Sequence, residues 1–398
     1  MKISKKLKLN ALYILIQVLH LASFCALATY ATVFLLEQGF SLAVVGTILA
    51  VSNILNVLIQ PVSASFIDKH KNISIQLLTA IVALVCAAIG LVTYFVNDIP
   101  WLSCVLFVLL NLAAGIFGPI ISSFAFMFEK EGIEINYGLA RAAGSGSYAL
   151  AALLMGTYIE KLGTKTMFIT YAVIQLCLAV TIFFFKSNNT ETSKEEETKE
   201  ESNVSFIGFM KKYPAYLWFF LGICLVLFAQ AAIETYLVEL VNDFGGNTED
   251  LGKAFSLAAA VEIPGMVFYE KLSKKFSVQK VMIFSLLMYV IKYAITIASK
   301  SMTMIFVAQT FQMLSYALFT PGTVYIGKMS VEKEDIIKAQ TLVNMPVTIG
   351  TVAASFIGGL VLEVINIKYF FVIAMIVEII GGVLIVISMK KNEEKLKI

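Results

Sequence analysis

The chain has 398 residues, 59% of them hydrophobic and 14% charged, with a mean hydropathy of +0.85. A soluble globular domain carries about 45–50% apolar and about 25% charged residues, so this composition excludes one and points to a membrane protein. The net charge of +3, with lysines spread through the polar segments, excludes a nucleic-acid-binding surface.

Apolar runs of about 20 residues, enough to cross about 30 Å of hydrocarbon, recur along the whole length. Twelve spans are predicted, over 11–36, 42–66, 73–96, 101–128, 138–159, 166–186, 214–240, 251–273, 278–298, 303–327, 336–362 and 368–389. The first is too long for a cleavable signal peptide and lacks a small-residue cleavage site. It carries Gln17, His20 and Phe24 on one helical face. His20 at membrane depth either packs through a hydrogen bond or carries a proton, since imidazole titrates in the useful range. Span two bears Asn53, Asn56 and Gln60 as a stripe; lipid would leave each unsatisfied, so the stripe faces a wet cavity or another helix. The loop that follows reads Asp68-Lys69-His70-Lys71, and span four offers a carboxylate, Glu129, only at its end.

Span five opens on Arg141, the one arginine among 30 basic residues. A guanidinium is planar, permanently charged and rich in donors, and an ammonium does not replace it where bidentate contact matters. Inside a membrane it costs about 2.5–3.5 kcal/mol on insertion scales, so it faces a cavity or a partner, or snorkels from the mouth of its helix. Tyr148 stands seven residues on, two turns away on the same face. Gly144, Ser145 and Gly146 let a helix or a ligand approach closely.

Residues 187–203, SNNTETSKEEETKEESN, hold six Glu and two Lys and almost nothing apolar, so they cannot bury a core and read as a linker. The next stretch, VSFIGFMKKYP, reads as a short helix on the membrane surface before an entering turn. This divides the chain into an N-terminal bundle (1–186), an acidic linker with the surface helix (187–213) and a C-terminal bundle (214–398). In the second half, Glu234 in span seven, Glu262 in span eight and Lys292 in span nine are ionisable at depth; either carboxylate can pair with the ammonium or carry a proton. Gln312, Ser315 and Tyr316 line up in span ten, and Glu378 sits in the middle of span twelve, at a helix interface or a cavity.

Lysine placement predicts orientation. With both termini cytoplasmic, only Lys161, Lys165, Lys253, Lys300 and Lys368 fall on the far side. That is the positive-inside asymmetry. Two sets of six spans about a long cytoplasmic loop predict an all-α membrane protein of two six-helix bundles around a midplane site.

At this point the chain resembles the major facilitator superfamily and, within it, the lactose-permease-like oligosaccharide:proton symporters. Three stretches carry the likeness: YATVFLLEQGFSLAVVGTILAVSNILNVLIQPVSASFIDK, YGLARAAGSGSYAL and AAVEIPGMVFYEKLSKKF. The resemblance implies that Arg141 donates to substrate hydroxyls, that Tyr148 is a platform for a sugar ring, and that Glu262 links substrate binding to protonation, with Lys292 at roughly the position of a family charge. It also implies that Asp68 and Lys69 form the gating contact of the loop after span two, although Ala64 replaces the family's leading glycine. The family's span-four carboxylate has no counterpart, and its Lys-His-Glu relay in span ten is absent. Coupling therefore falls to Glu262, Glu234 or His20, with Lys292 as partner, and substrate contacts to Arg141, Tyr148, Glu262, Asn53, Asn56 and Gln312.

No Walker loop, HExxH motif or paired catalytic carboxylates with a histidine is found, so no enzyme, cofactor or metal is expected. Cys25, Cys86, Cys104, Cys177 and Cys224 lie in apolar segments without ligand spacing and read as free thiols. The expected partners are a small-molecule substrate, protons and the lipid bilayer, with no nucleic acid and nothing requiring more than a monomer. Lysine-rich, arginine-poor usage points to a bacterial plasma membrane. The leading expectation is proton-coupled uptake of a saccharide or glycoside by alternating access. Efflux of drugs or metabolites, and a transporter fold retained as a sensor, are the two other readings.

Overall fold

A computed structural model describes residues 2–69, 74–128, 133–185 and 206–396; the acidic run 187–203, Glu129, His70, Lys71 and the side chain of Asp68 lie outside the described residues. All regular elements among the described residues are helices. Eleven are long and apolar enough to cross a membrane. The predicted span 138–159 is a helix of 26 residues, long enough but less apolar than the others because Arg141 and its glycine and serine neighbours occupy it. Helices are what lipid demands, since each backbone donor and acceptor must be satisfied within the segment. Pro61, Pro119, Pro264, Pro321 and Pro346 are nonetheless accommodated inside helices.

The chain divides into two compact units: Met1–Ser41 with Val51–Lys199 and Asn247–Ser256, and Leu42–Ala50 with Glu200–Gly246 and Leu257–Ile398. In the first, α1 (Lys2–Phe24) passes through a π-helical turn, Cys25–Thr29, into α2 (Ala31–Glu37). Most of α3 (Leu42–Lys69), then α4 (Ile75–Phe95), α5 (Pro100–Ser123), α6 (Tyr137–Leu162) and α7 (Thr166–Phe184) follow. Pro100 opens α5, where its missing N–H costs nothing, and Asn136 caps α6 by accepting the Leu139 N–H at 3.0 Å. α1 packs on α6 and α7, and α4 on α7. Gly144 brings α6 so close to α1 that a Cβ there would lie 3.0 Å from the Gln17 carbonyl oxygen, and Ser147 donates to the Val18 carbonyl at 2.9 Å. The start of α10 (Thr248–Phe276) belongs here: Gly252 meets Gly156 of α6 with 2.9 Å between a hypothetical Cβ and the opposite Cα. Glu160 accepts the Thr248 N–H at 2.9 Å.

The second unit contains α8 (Phe206–Lys212), α9 (Pro214–Asp243), the rest of α10 (Thr248–Phe276) and α11 (Val278–Ala298). It continues with α12 (Met302–Thr310), α13 (Tyr316–Met329), α14 (Ile336–Leu362) and α15 (Ile367–Leu396). α9 is the most enclosed span, 78% buried along its apolar stretch, because α14 and α15 both pack on it. Gly222 and Gly381 permit the α9–α15 crossing: a Cβ on Gly222 would lie 2.7 Å from the Gly381 carbonyl oxygen. The first turns of α3 belong to this unit, where Gly46 meets Gly359 of α14 and Glu363 accepts the Ala43 N–H at 3.0 Å. The short α8 buries Phe209 and Met210 beside Tyr216, Phe219 and Phe220. Lys212 beyond them pairs with Asp335 at 2.7 Å and Glu332 at 2.9 Å, and Tyr213 donates to Asp335 at 2.7 Å.

Candidate functional site

The functional side chains form two groups, one in each unit. In the first, α6 presents Arg141 exposed, with one guanidinium nitrogen donating to Ser145 Oγ at 3.0 Å, one turn along the same helix. Four of the five N–H donors on that fork stay clear of this bond. His20 lies within electrostatic reach of Arg141, and its ring sits 6.4 Å from that of Phe117 on α5. Tyr148, half-buried two turns from Arg141, shares a hydrogen bond of 2.9 Å with the Thr29 hydroxyl and lies 6.5 Å from the exposed Phe24 ring. Thr29 reaches it because the π-helical turn Cys25–Thr29 re-aims the end of α1; such bulges concentrate at functional positions.

The predicted face of span one divides. Phe24 joins Tyr148 and His20 joins Phe117, whereas Gln17 is buried and donates to the Tyr13 hydroxyl at 2.9 Å, inside its own helix. The span-two stripe divides as well. Asn56 is half-buried against Gly115 of α5, where a Cβ would lie 2.7 Å from its Oδ1, and among the described residues that oxygen has no hydrogen-bond partner. Asn53 is half-buried and Gln60 exposed. Of the three small residues after Arg141, Gly144 takes the close helix approach, Ser145 holds the guanidinium, and Gly146 faces open space. Lys69 is exposed at the end of α3.

In the second unit, span ten is not one continuous helix. α12 ends at Thr310, a 3₁₀ turn covers Phe311–Met313, and α13 begins at Tyr316. The break sets Gln312, 2% exposed, between two charged side chains from neighbouring helices. Its amide nitrogen donates to Glu262 of α10 at 2.8 Å, while its amide oxygen accepts from the Lys292 ammonium of α11. One amide supplies both ends, because its carbonyl suits a cation and its NH₂ suits an anion. The expected contact between Glu262 and Lys292 thus runs through Gln312. Lys292 is 1% exposed, and the carboxylates acting on it electrostatically are Glu234 and Glu262. Glu234 is exposed and accepts from the buried Gln230 amide, one turn earlier on α9, at 2.7 Å.

Sequence reading missed four participants: Thr29, Gln230, Tyr289 and Tyr293. The two tyrosines flank Lys292 on α11 and are wholly buried. Their spacing around a mid-span lysine was the available signal.

A description of the Major Facilitator Superfamily matches residues 12–277 and 219–397. The chain is similar to the maltose permease of Geobacillus stearothermophilus, 24% identical over 379 residues that cover 93% of this chain and 92% of that protein. It is also similar to the uncharacterized transporter YwbF of Bacillus subtilis strain 168, at 22% over 372 residues, 90% of this chain and 88% of that one. Among solved structures, the nucleoside transporter NupG shares the fold with a TM-score of 0.78 at 14% identity, over 97% of this chain and 99% of that chain. Membrane-length helices from end to end, and a family match over nearly all of them, make the chain a multi-pass membrane transporter that belongs to the Major Facilitator Superfamily.

Proposed function

We propose that the chain is a proton-coupled symporter that takes up a small polar solute, a saccharide or glycoside, by alternating access. In this reading it lies in a bacterial plasma membrane with both termini cytoplasmic and works as a monomer. The observation that carries the proposal is α6: an exposed arginine that, among the described residues, commits one donor of its fork, and, two turns on, a tyrosine beside an exposed phenylalanine. Forked donors suit vicinal hydroxyls, and aromatic rings suit the apolar face of a sugar. The similarity to a maltose permease over nearly the whole chain supports a saccharide.

Arg141, Tyr148, Asn53 and Asn56 of the first unit are the proposed substrate contacts, joined by Glu262 of the second. Gln312 has both amide ends engaged, which favours a part in relaying charge between Glu262 and Lys292 over direct contact with a solute. Glu262 and Glu234 are the proposed coupling acids, with Lys292 as the cation whose balance they hold and His20 beside Arg141 as a further proton acceptor. Asp68 and Lys69 are the proposed gating pair.

The test is thermal stabilisation of the purified protein by maltose, other mono- and disaccharides, glycosides, nucleosides and aromatic acids, with Arg141→Lys as control. A ligand at about 100 times its dissociation constant adds about 2.7 kcal/mol to the folded state. A saccharide should stabilise the wild type and leave the variant unmoved. Stabilisation by an apolar or anionic compound alone would remove the sugar assignment.

A further inference from the structure

Glu378 has no part in that proposal, yet among the described residues it is the one carboxylate with no exposed surface. It lies midway along α15, 0% exposed, and among the described residues neither carboxylate oxygen has a hydrogen-bond partner. One turn on, Gly381 presses against Gly222 of α9, and Gly382 lies in ordinary contact with Leu286 of α11. α9 is therefore drawn tight beside the acid, while on the α11 side even an added Cβ on Gly382 would reach only ordinary contact, 3.6 Å from Leu286. From α11 the groups in electrostatic reach of Glu378 are Tyr289 and Tyr293. Among the described residues the Tyr289 hydroxyl also lacks a partner, whereas that of Tyr293 donates to the Ala229 carbonyl of α9. From α9 the ionisable side chains nearest in sequence to that crossing are Cys224 and Tyr216, with Glu234 further along the helix. α14 carries none between Lys338 in its first turn and Glu363 just past its end.

An ionised carboxylate without a donor is not sustained in such a place; the group takes up a proton and becomes neutral. The same two tyrosines lie in reach of Glu234, and Tyr289 also of Glu262, so charge appearing on Glu378 would be felt beside the Lys292 cluster. We propose that Glu378 is a proton-binding site of the C-terminal unit, neutral while α9, α11 and α15 are closed around it and ionised when that packing opens to water. In the step, the carboxyl O–H bond breaks, the proton passes to water, and the electron pair stays on the carboxylate; rebinding is the reverse. The coupling role of this site rests on the proton-symport reading, whereas its proton occupancy does not.

The experiment uses the full chain in phosphatidylethanolamine–phosphatidylglycerol vesicles, as wild type and as Glu378→Gln, an isostere of the neutral acid. Infrared difference spectra between alkaline and acidic pH should show a carboxylic-acid carbonyl band in the wild type that is missing from the variant. An imposed pH gradient should drive accumulation of labelled maltose in the wild type. The variant should lose that accumulation by a far larger factor than it loses maltose exchange. Absence of a band assignable to Glu378 overturns the site, and accumulation by the variant equal to wild type overturns its role. Failure of the wild type to exchange or accumulate maltose counts against the symport reading, and the infrared band then decides Glu378 by itself.

Discussion

Arg141 and Lys292 are both cations within helices of the membrane region, and their surroundings differ in kind. Arg141 is exposed, and among the described residues its one side-chain hydrogen bond goes to Ser145 on its own helix. Lys292 is sealed, bonded to Gln312 at a helix break and balanced by Glu234 and Glu262 on two other helices. A cation bonded only locally contributes little to the fold and is free to meet a solute. A sealed cation balanced by several helices is part of the packing, and any change in its partners' charge is a change in structure. The first arrangement suits recognition and the second suits coupling.

Breaking the sealed side should have the largest effect. Lys292→Ala leaves Glu234 and Glu262 without their cation and the Gln312 carbonyl without its donor, a class of change that costs about 3–5 kcal/mol. Denaturant unfolding in detergent should show it. Adding Glu262→Gln to that variant should recover part of the loss, and a double variant no more stable than the single one would mean that the carboxylate is not balanced by Lys292. On the open side, Arg141→Lys should leave unfolding within about 0.5 kcal/mol of wild type, as exposed substitutions do. Saccharide affinity should instead fall about 10-fold or more, the size expected when charge-assisted hydrogen bonds of about 1.5–3 kcal/mol are lost. Unchanged binding by that variant would place the solute elsewhere.

The units also invite comparison at their glycine crossings. Gly156 meets Gly252 in the first and Gly46 meets Gly359 in the second, each beside a glutamate that accepts a backbone N–H at the start of the crossing helix. A side chain at either crossing would press on backbone and on a buried tyrosine hydroxyl, Tyr30 at the first and Tyr236 at the second. Gly156→Leu and Gly359→Leu should each cost about 1–3 kcal/mol, the range for overpacking a tight contact. Thermal unfolding checks this, and equal melting of wild type and variants would show that the crossings are looser than the geometry gives.

Much of this was legible in the sequence and some was not. Long apolar runs betray membrane helices because lipid leaves the backbone no alternative, and Arg141 stood out because no other arginine accompanies it. Span five is less apolar than the others for the same reason that it is of interest: polar and small residues replace the leucines a lipid-facing helix would carry. The break at Phe311–Met313 was not legible, since QMLSYALF has neither glycine nor proline and reads as continuous helix; it coincides with the engagement of Gln312 by two charged neighbours. The π-helical turn at Cys25–Thr29 likewise has no local signature. The fate of Gln17, turned back onto Tyr13, shows that shared helical spacing places residues on one face without saying which partner takes each.

The smallest expected effect sharpens the contrast from outside the membrane. Lys212, like Lys292, is balanced by two carboxylates, Asp335 at 2.7 Å and Glu332 at 2.9 Å, but it is itself 41% exposed. Water screens such a pair, so its loss should cost far less than that of the sealed cluster. Hydrogen bonds from Lys212 and then Tyr213 hold the Asp335 carboxyl below its ordinary range. A group depressed in the folded state contributes stability above its unfolded pKa and loses it as pH falls through the folded one. Asp335→Asn should therefore melt slightly below wild type at neutral pH, with the gap closing as the medium is acidified past the ordinary carboxylate range. A gap that persists unchanged in acid would mean that the carboxylate charge is not what fastens α8 to this end of the second unit.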